Sequence, residues 1–504
     1  MSSTDTDTTT ERAGRREWWG LAVLVVPIVL VSMDMSVLYL ALPSLTEDLQ
    51  PSSSQQLWIL DIYSFMLAGL LVTMGSLGDR IGTRRLLMIG SLVFGIASVA
   101  AAFSHSPEAL IASRVLLGVG GATLAPSTLS LLRKLFVDPV QRGVAIGIWT
   151  AGFAGGGSFG PVIAGTLLEY FWWGSVFLIN IPIMIVLLIA APLILPEAKN
   201  PAPGRFDLPA VAASIVAMLG IVYALKHAAQ SGLDWQVAAA LAVGLVVGWW
   251  FVRRQRASTH PVIEFDLFRT PAFSVAVIVI LVSVFIITGF NLMLSQYLQL
   301  VMGLGTLEAG LWSLIPAIAT AAASLSAPLI MKRRRPSVIL VGAISVMVLG
   351  AVVIGFVAVP SSVGSGATLA ILLCGMVIAA VGVGTGTTFG SDRVLATAAP
   401  EKAGAAGAVS ETGAELGGAL GIAVLGSISV ATYRIVLGPA DAAGDGTLAA
   451  TLSDARQLDP DLGADLAGRA REAYVDGIVA ASGATVVILL IAGAAAAALF
   501  RRSR

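Results

Sequence analysis

The sequence is poor in the residues on which most soluble enzymes rely. Its 504 residues include one cysteine and three histidines, and only 12% of the residues are charged. A single cysteine, Cys374, excludes a disulfide framework. His105, His227 and His260 are too scattered along the chain to share a metal ion. We therefore predict no metal site and no enzyme activity.

The sequence also lacks the features of a nucleotide-driven pump and of a nucleic-acid-binding protein. A pump driven by nucleotide hydrolysis needs the pattern GxxxxGK[ST], in which lysine follows glycine. None of the five lysines does so: Lys134, Lys199, Lys226, Lys332 and Lys402. A formal net charge of zero also gives no broad basic surface, so nucleic acid is not an expected partner.

Apolar residues dominate what is present. They make up 57% of the chain, and the mean hydropathy is +0.89. Such a balance is typical of an integral membrane protein whose partner is the lipid bilayer. The apolar runs are about twice the ten residues of a barrel strand, so helices are predicted. The fold class is an all-α integral membrane protein, and its 54 glycines indicate closely packed helices.

Apolar runs of about 20 residues, the length that crosses a bilayer, occur fourteen times. The predicted spans are 18–42, 55–77, 85–103, 108–131, 142–168, 174–195, 207–226, 235–252, 272–298, 308–330, 337–359, 367–391, 404–433 and 475–500. Placing both termini in the cytoplasm puts 24 of the 30 basic residues in cytoplasmic segments. Basic residues resist translocation, so this topology is predicted, with residues 1–17 as a cytoplasmic tail.

The glycine-rich spans contain a repeat. GVGGATLAPS at 118–127 and GVGTGTTFGS at 382–391 share GVGxxTxxxS, while GGGSFG at 155–160 is echoed by GGALG at 417–421. Pairing span 4 with span 12 and span 5 with span 13 predicts two six-helix bundles, 18–195 and 271–504. Residues 196–270 would then hold two inserted helices with cytoplasmic linkers. An outer loop is predicted at 434–474, and within it the segment 437–476 is expected to be partly helical, with disorder as the alternative.

Three charged residues lie inside the first four spans, although a charge near the bilayer centre costs roughly 3 kcal/mol. At 1.5 Å per residue, Asp34 lies about 12–14 Å below the outer end of span 1, and Asp61 and Arg114 lie about 9 Å deep in spans 2 and 4. We expect them to share one cavity, with Asp34 as the proton carrier and Asp61 and Arg114 in proton coupling. The alternative is a static buried salt bridge.

Two acids in span 13 and several aromatic residues are the candidates for contact with cargo. Glu411 and Glu415 are four residues apart and share a helix face, so they can bind a cation, carry a second proton or bond to span 10 or 14. Asp61 is a further candidate for binding cargo. Ring faces attract organic cations, and the candidate rings within the spans are Trp58, Tyr63, Trp149, Phe153, Phe285, Phe290 and Trp312. The alternative for each ring is contact with lipid.

Four motifs carry a family resemblance. GSLGDRIGTRR at 75–85 resembles the signature loop of the major facilitator superfamily, in which glycines permit a tight turn and the charged residues latch helix ends. The matching latch residues are Gly75, Gly78, Asp79, Arg80, Gly82, Arg84 and Arg85. GGGSFGPVIAG at 155–165 is similar to the antiporter signature of that superfamily. Its matching residues are Gly156, Gly160, Pro161 and Gly165.

RVLLGVGGA at 114–122 resembles the span 4 motif, whose arginine is linked to proton transfer. SMDMSVLYLALP in span 1 and LWILDIYSFMLAGLL in span 2 resemble the fourteen-span drug:proton antiporters of the QacA, SmvA and LfrA group. The resemblance implies a monomeric multidrug efflux antiporter of the cell membrane, driven by a proton gradient without a cofactor. Its cargo would be amphipathic cationic drugs such as dyes, quaternary ammonium antiseptics and antibiotics, exported by alternating access.

A dedicated exporter of one metabolite or self-made antibiotic stays open as an alternative. The chain also departs from the family pattern. The second-half counterpart of the latch loop, at 331–336, lacks glycine and aspartate, and span 10 has no acid in its core. Because span 10 has no acid in its core, we do not expect bulky cargo that carries two positive charges.

Overall fold

The computed structural model describes residues 13–51, 53–197, 208–231, 234–257, 265–357, 366–398, 403–438 and 447–501. Within those ranges the chain is helical with short connections and has no strand, as the predicted fold class requires. The helices of the first part are α1 (Arg15–Leu49), α2 (Ser53–Ile81), α3 (Thr83–Ala102), α4 (Pro107–Leu135), α5 (Pro139–Tyr170), α6 (Ser175–Leu178) and α7 (Asn180–Ile194).

The remaining helices begin with the pair α8 (Leu208–Ser231) and α9 (Trp235–Ala257). They continue with α10 (Pro271–Gln296), α11 (Thr306–Arg333), α12 (Pro336–Gly355), α13 (Gly366–Thr397), α14 (Ala403–Leu437), α15 (Leu448–Ala455) and α16 (Pro460–Arg501). A 3₁₀ turn at Phe265–Arg269 precedes α10, and a π turn at Tyr297–Val301 follows it.

Local sequence signals explain several helix ends. Ser106 accepts a hydrogen bond from the amide of Ala109, and proline follows it as the first residue of α4. Asp138 caps α5 in the same way, again before a proline, which fits the first helical turn because it needs no amide donor there. Gly82 alone connects α2 to α3 with a φ of +112°, a conformation that side chains disfavour. The end of the bundle that holds this turn is called the latch end below.

In the described residues, eleven helical segments are long and apolar enough to cross a membrane. Counting two bent pairs of segments, one in α2 and one in α5, as single spans raises the number to thirteen. The fourteenth predicted span corresponds to α8, whose apolar stretch Ala212–Leu225 is shorter. The number fourteen therefore remains a prediction, whereas a multi-pass helical bundle is what the structure shows.

Buried apolar side chains gather in two main clusters. One is formed by α1–α7, from Leu21 to Leu195, with Leu395 of α13 added. The other is formed by α10–α16, from Val275 to Ala496. The packed cores thus follow the two groups of helices on either side of the α8–α9 pair.

The same close contacts recur in both groups. A Cβ at Gly156 of α5 would collide with the carbonyl of Val29 in α1, and a Cβ at Gly417 of α14 would collide with the carbonyl of Leu281 in α10. The glycines of the GVG patterns differ: Gly118 of α4 packs on α2, whereas the aligned Gly382 of α13 packs on α12. Small residues are needed where helix backbones approach this closely. The repeated glycines of α5 and α14 therefore occupy equivalent packing positions, whereas those of α4 and α13 do not.

The pair α8–α9 packs beside the two groups. Gly220 and Gly244 allow the two helix backbones to touch, since a Cβ at either glycine would lie about 3 Å from the backbone of the other helix. Helix α8 in turn contacts α2 and α14. Met218 and Val222 of α8 share an apolar cluster with Phe65 of α2 and Leu416 of α14. The inserted pair is thus attached to one helix from each group.

The predicted outer loop 434–474 is largely helical where it is described. Helix α14 continues to Leu437, α15 lies within the segment and α16 begins at Pro460; residues 439–446 lie outside the described part. The Tyr433 hydroxyl donates to Thr451 Oγ1 at 2.8 Å, which ties α15 to α14. The Tyr474 hydroxyl lies 3.0 Å from Gln296 Oε1 and 3.2 Å from the Met293 carbonyl of α10. The segment is therefore shorter and more ordered than a free loop.

Candidate functional site

An ion pair between α1 and α4 lies at the centre of the first cluster. Arg114 Nη1 donates to Asp34 Oδ2 at 2.5 Å, and the two residues are 1% and 4% exposed. The helical rise placed both residues at similar depths, and the structure brings them into direct contact. Two charges removed from water this completely need each other, because an unpaired one would be strongly destabilising.

Arg114 is also held by α2. Its Nε donates to the carbonyl of Ile59 at 3.1 Å, and its Nη2 lies 3.5 Å from the carbonyl of Leu60. The guanidinium carbon is 4.7 Å from the centre of the Tyr63 ring, within cation–π range. Tyr63 is fully buried, and its hydroxyl donates to Val31 of α1 at 3.3 Å. One arginine thus joins three helices.

A residue that the sequence analysis missed completes the environment of Asp34. Asn180, the first residue of α7, is buried and lies within hydrogen-bonding reach of the Asp34 carboxylate. Its amide also donates to Ser98 Oγ of α3 at 3.1 Å. The only sequence signal was an amide among the apolar residues of span 6. The carboxylate is therefore contacted from α4 and from α7.

The other predicted acids lie on α2 and α14. Asp61 is buried on α2, directly after the two carbonyls that Arg114 contacts. Glu411 of α14 is buried and interacts electrostatically with the half-buried Glu415. Glu415 is also close enough to interact electrostatically with Tyr63. Glu415 of α14 therefore lies near Tyr63, the residue whose ring Arg114 contacts.

The predicted aromatic residues divide into different environments. Trp149 is buried on α5, stacks on Phe153 with ring centres 6.2 Å apart, and donates its indole N–H to Thr128 of α4. Trp58 instead stacks on Tyr223 of the inserted helix α8, at 6.4 Å, and is 40% exposed. This contact with α8 was not predicted.

Three further aromatic residues lie in the second group of helices. Phe285 and Phe290 are buried within the core formed by α10–α16. Trp312 is 36% exposed on α11. The seven candidate rings therefore do not line one surface.

The ion pair belongs to one repeat only. Aligning α1 with α10 through the equivalent contacts of Val29 and Leu281 places Ile286 opposite Asp34. Aligning the shared GVG patterns of α4 and α13 places Ile378 opposite Arg114. The two packed cores are alike, but the charged site is confined to the first.

The latch motif holds the two groups of helices together. Asp79 accepts hydrogen bonds from the backbone amides of Gly404 and Ala405 at 3.1 and 3.0 Å. These amides form the N-terminus of α14, where a carboxylate is favoured by the helix dipole. A Cβ at Gly75 would lie 2.5 Å from the Gly404 carbonyl, so glycine is needed for this approach. Gly78, one turn later on α2, faces Leu86 of α3.

The arginines of the motif contact α7 and the residues after it. Arg84 donates to the carbonyl of Leu195 at 3.0 Å, and its Nε lies 3.6 Å from Glu197 Oε2. Arg85 Nε lies 3.7 Å from the same carboxylate. Arg80 is half-buried in the last turn of α2. Glu197, which the sequence analysis did not single out, is therefore the acid that gathers Arg84 and Arg85.

A second ion pair crosses between the groups near the latch end. Arg142 Nε of α5 lies 3.4 Å from Asp392 Oδ1 of α13, and both side chains are largely buried. Nearby, a Cβ at Gly147 of α5 would lie 2.5 Å from the carbonyl of Ser324 in α11. With the Asp79 contacts, these interactions close the latch end.

The antiporter-like motif forms the seam between α5 and α1. Gly156 and Gly160 contact Val29 and Met33, and Gly165 is half-buried further along α5. The helix bends by 42° between its segments Pro139–Gly157 and Val162–Tyr170. The break contains Pro161, which removes a helical hydrogen bond at that point.

This geometry defines a class of protein: a multi-pass helical bundle with two related cores, a latch at one end and a buried ion pair in one core. The fold resembles a solved human organic anion transporter, MFSD10, with a TM-score of 0.63 at 13% identity, over 95% of this chain and 99% of that one. The family model of the Major Facilitator Superfamily matches residues 24–422. The chain belongs to the Major Facilitator Superfamily.

Relatives are similar over most of their length. The chain is 44% identical to the multidrug efflux pump LfrA of Mycolicibacterium smegmatis, over 84% of this chain and 83% of that protein. It is 36% identical to the methyl viologen resistance protein SmvA of Salmonella typhimurium, over 82% of each. It is 32% identical to the tetracenomycin C resistance and export protein of Streptomyces glaucescens, over 82% of this chain and 76% of that protein. These similarities place it among transporters rather than enzymes.

Proposed function

We propose that the protein exports amphipathic, cationic drugs across the cell membrane in exchange for protons. The names of two relatives, a multidrug efflux pump and a methyl viologen resistance protein, support drug export. The observation that carries the proton coupling is the buried pair of Asp34 and Arg114. An ionisable pair inside the membrane-embedded part of a transporter is costly and is typical of ion or proton pathways.

In this proposal Asp34 alternates between two partners. When it binds a proton from outside, its carboxyl becomes neutral and the attraction to Arg114 is lost. Arg114 keeps its bonds to α2, so α1 can shift relative to α2 and α4. Release of the proton to the cytoplasm restores the ion pair and favours cargo binding, and the loaded transporter then returns to the starting arrangement. The gain and loss of one ion pair thus converts a proton gradient into a bias between two conformations.

The contacts of Asp79, Arg142 and Gly147 close the latch end in this structure. We propose that the latch end is cytoplasmic, with both termini on that side, as the distribution of basic residues predicts. The conformation would then be closed toward the cytoplasm. The proposed architecture is fourteen spans in a monomer, with two six-helix bundles and the inserted pair α8–α9, in the QacA-like group of the superfamily.

The proposed cargo site lies between the two bundles. Glu411 and Glu415 supply negative charge from α14, and Trp149 with Phe153 supplies stacked ring faces from α5. Carboxylates and ring faces together favour organic cations. The relative named for tetracenomycin C export favours the alternative of one dedicated compound. Transport of several unrelated cations would support the broad proposal, and transport of a single compound would support the alternative.

Dye transport in proteoliposomes tests the proposal. With an acidic lumen, inside-out wild-type protein should accumulate a cationic dye, because lumenal protons leave as dye enters. Asp34→Asn should abolish gradient-driven uptake. Asp465→Asn is the matched control, since it makes the same chemical change on an exposed surface and should leave uptake intact. Equal uptake by wild type and Asp34→Asn would remove Asp34 from the mechanism.

A further inference from the structure

The last two turns of α9 carry a group of aromatic and basic residues that the transport mechanism does not use. Trp249, Trp250, Arg253, Arg254 and Arg256 are all exposed. We call these five residues the Trp–Arg patch. They lie at the latch end, because α9 ends shortly before α10 begins and Phe273 at the start of α10 packs with Ala406, beside the amides that Asp79 contacts. Helix α9 packs mainly on α8, so the patch lies on the outer surface of the bundle.

Two of the arginines are arranged over the rings of the tryptophans. The guanidinium carbon of Arg253 is 5.5 Å from the Trp249 ring centre, and that of Arg254 is 5.4 Å from the Trp250 ring centre. The rings are 62% and 41% exposed. Cation–π contacts of this length hold an arginine against a ring.

The other face of the same turns is buried. Phe251 is 6% exposed and packs with α8, and Gln255 is 2% exposed. The charges are therefore not spread around the helix end but confined to the side facing away from the bundle. In a membrane-embedded protein, the region where tryptophans and arginines adjoin an apolar helix is the boundary between hydrocarbon and headgroups.

We propose that the Trp–Arg patch binds anionic phospholipid headgroups. Arginine forks match the geometry of phosphate, and an anionic membrane surface attracts basic residues that lie near it. Tryptophan rings favour the headgroup level and support the guanidinium groups there. The occupant is a lipid rather than a free anion, because the patch adjoins the apolar surface of α9, which acyl chains cover. The proposal needs the membrane location and no feature of proton coupling.

Lipid bound at this patch would act on the transporter through packing. Helix α9 touches α8 backbone to backbone at Gly220 and Gly244. Helix α8 contacts α2 and α14, one from each group of helices. An occupied patch would therefore fix the end of a helix pair that joins the two halves, and anionic lipid should raise the thermal stability of the whole protein.

The experiment measures lipid binding to purified full-length protein by native mass spectrometry and by the shift in melting temperature. Phosphatidylglycerol should be retained and should raise the melting temperature more than phosphatidylcholine does. The triple variant R253Q/R254Q/R256Q should bind phosphatidylglycerol at least about tenfold more weakly, since three contacts are lost. The variant W249L/W250L, which keeps every charge, should show an intermediate loss.

A matched control comes from α11. K332Q/R333Q/R334Q removes the same charge from another latch-end helix terminus, where the three residues are exposed and the last turns contain no tryptophan. It should weaken lipid binding less than R253Q/R254Q/R256Q does, because no tryptophan rings support its charges.

Three outcomes would overturn the proposal. These are equal binding of the two lipids by wild type, equal losses in the two triple variants, or the same stabilisation by inorganic phosphate without lipid. A dimer that disappears in R253Q/R254Q/R256Q while lipid binding is unchanged would also overturn it and assign the patch to a second copy of the chain.

Discussion

Substituting Asp34 and substituting Arg114 should lower the free energy of unfolding by different amounts. Asp34→Asn leaves Arg114 inside the bundle with 1% exposure and without its carboxylate. A guanidinium cannot lose its charge in a protein, although Arg114 keeps its bonds to the carbonyls of Ile59 and Leu60. We expect the free energy of unfolding to fall by about 3–5 kcal/mol, the usual cost of breaking a buried pair.

The reverse substitution has a different outcome. Arg114→Gln leaves the Asp34 carboxylate buried, but a carboxylate can bind a proton and become neutral. Asn180 remains to bond with it. The free energy of unfolding should fall by about 1–3 kcal/mol, the range for a buried polar group that has lost a partner. The double variant Asp34→Asn/Arg114→Gln places two neutral amides together. Its free energy of unfolding should lie within about 2 kcal/mol of the wild-type value.

Reversible unfolding in mixed detergent micelles, followed by fluorescence of the ten tryptophans, measures these differences, and dye transport is measured on the same preparations. The double variant should regain stability yet remain inactive, which separates the structural role of the pair from proton coupling. If Asp34→Asn costs less than Arg114→Gln, or if the double variant is as unstable as Asp34→Asn, the account of an arginine trapped without a partner is wrong.

Three further predictions concern the latch and the cargo site. Asp79→Ala removes the acceptor at the N-terminus of α14 and should weaken closure of the latch end by about 1 kcal/mol; spin-label distances between α2 and α14 should lengthen, and unchanged distances would contradict this role. Gly147→Ala forces a Cβ to 2.5 Å from the Ser324 carbonyl and should lower both stability and transport, whereas Gly342→Ala, with open space around its Cβ position, should preserve both. Glu411→Gln relieves repulsion from Glu415, so it should keep or raise stability while reducing export of cationic dyes. Export of a neutral substrate is the control. An equal loss of cationic and neutral export would argue against recognition of charge.

The sequence predicted that Asp34 and Arg114 could meet but did not identify the other residues that contact them. Helical rise alone placed Asp34 and Arg114 at similar depths, because position along a span converts directly into distance from the membrane surface. It could not show that Asn180 would join them, since that contact depends on how α7 is rotated and packed. The same limit explains the ion pair of Arg142 and Asp392, which lie in different halves of the chain.

Helix boundaries were misjudged for a related reason. Hydropathy marks only the apolar part of a helix, so the predicted outer loop 434–474 could be expected to be partly helical, but the bounds of α14, α15 and α16 within it could not be placed. The stacking of Trp58 on Tyr223 was equally inaccessible, because no periodic pattern indicates which pair of spans an inserted helix will touch. The repeat was visible in the sequence because close backbone contacts demand glycine at corresponding positions of α5 and α14.

The position of α8 restricts how the molecule can move. Its side chains meet Phe65 on one side and Leu416 on the other. Any rocking of one bundle against the other must slide at least one of these surfaces past α8. Apolar contacts are well suited to such sliding because they have no fixed direction. Substitutions that enlarge the side chains of α8 facing α2 or α14 should therefore slow turnover even though they change no charge.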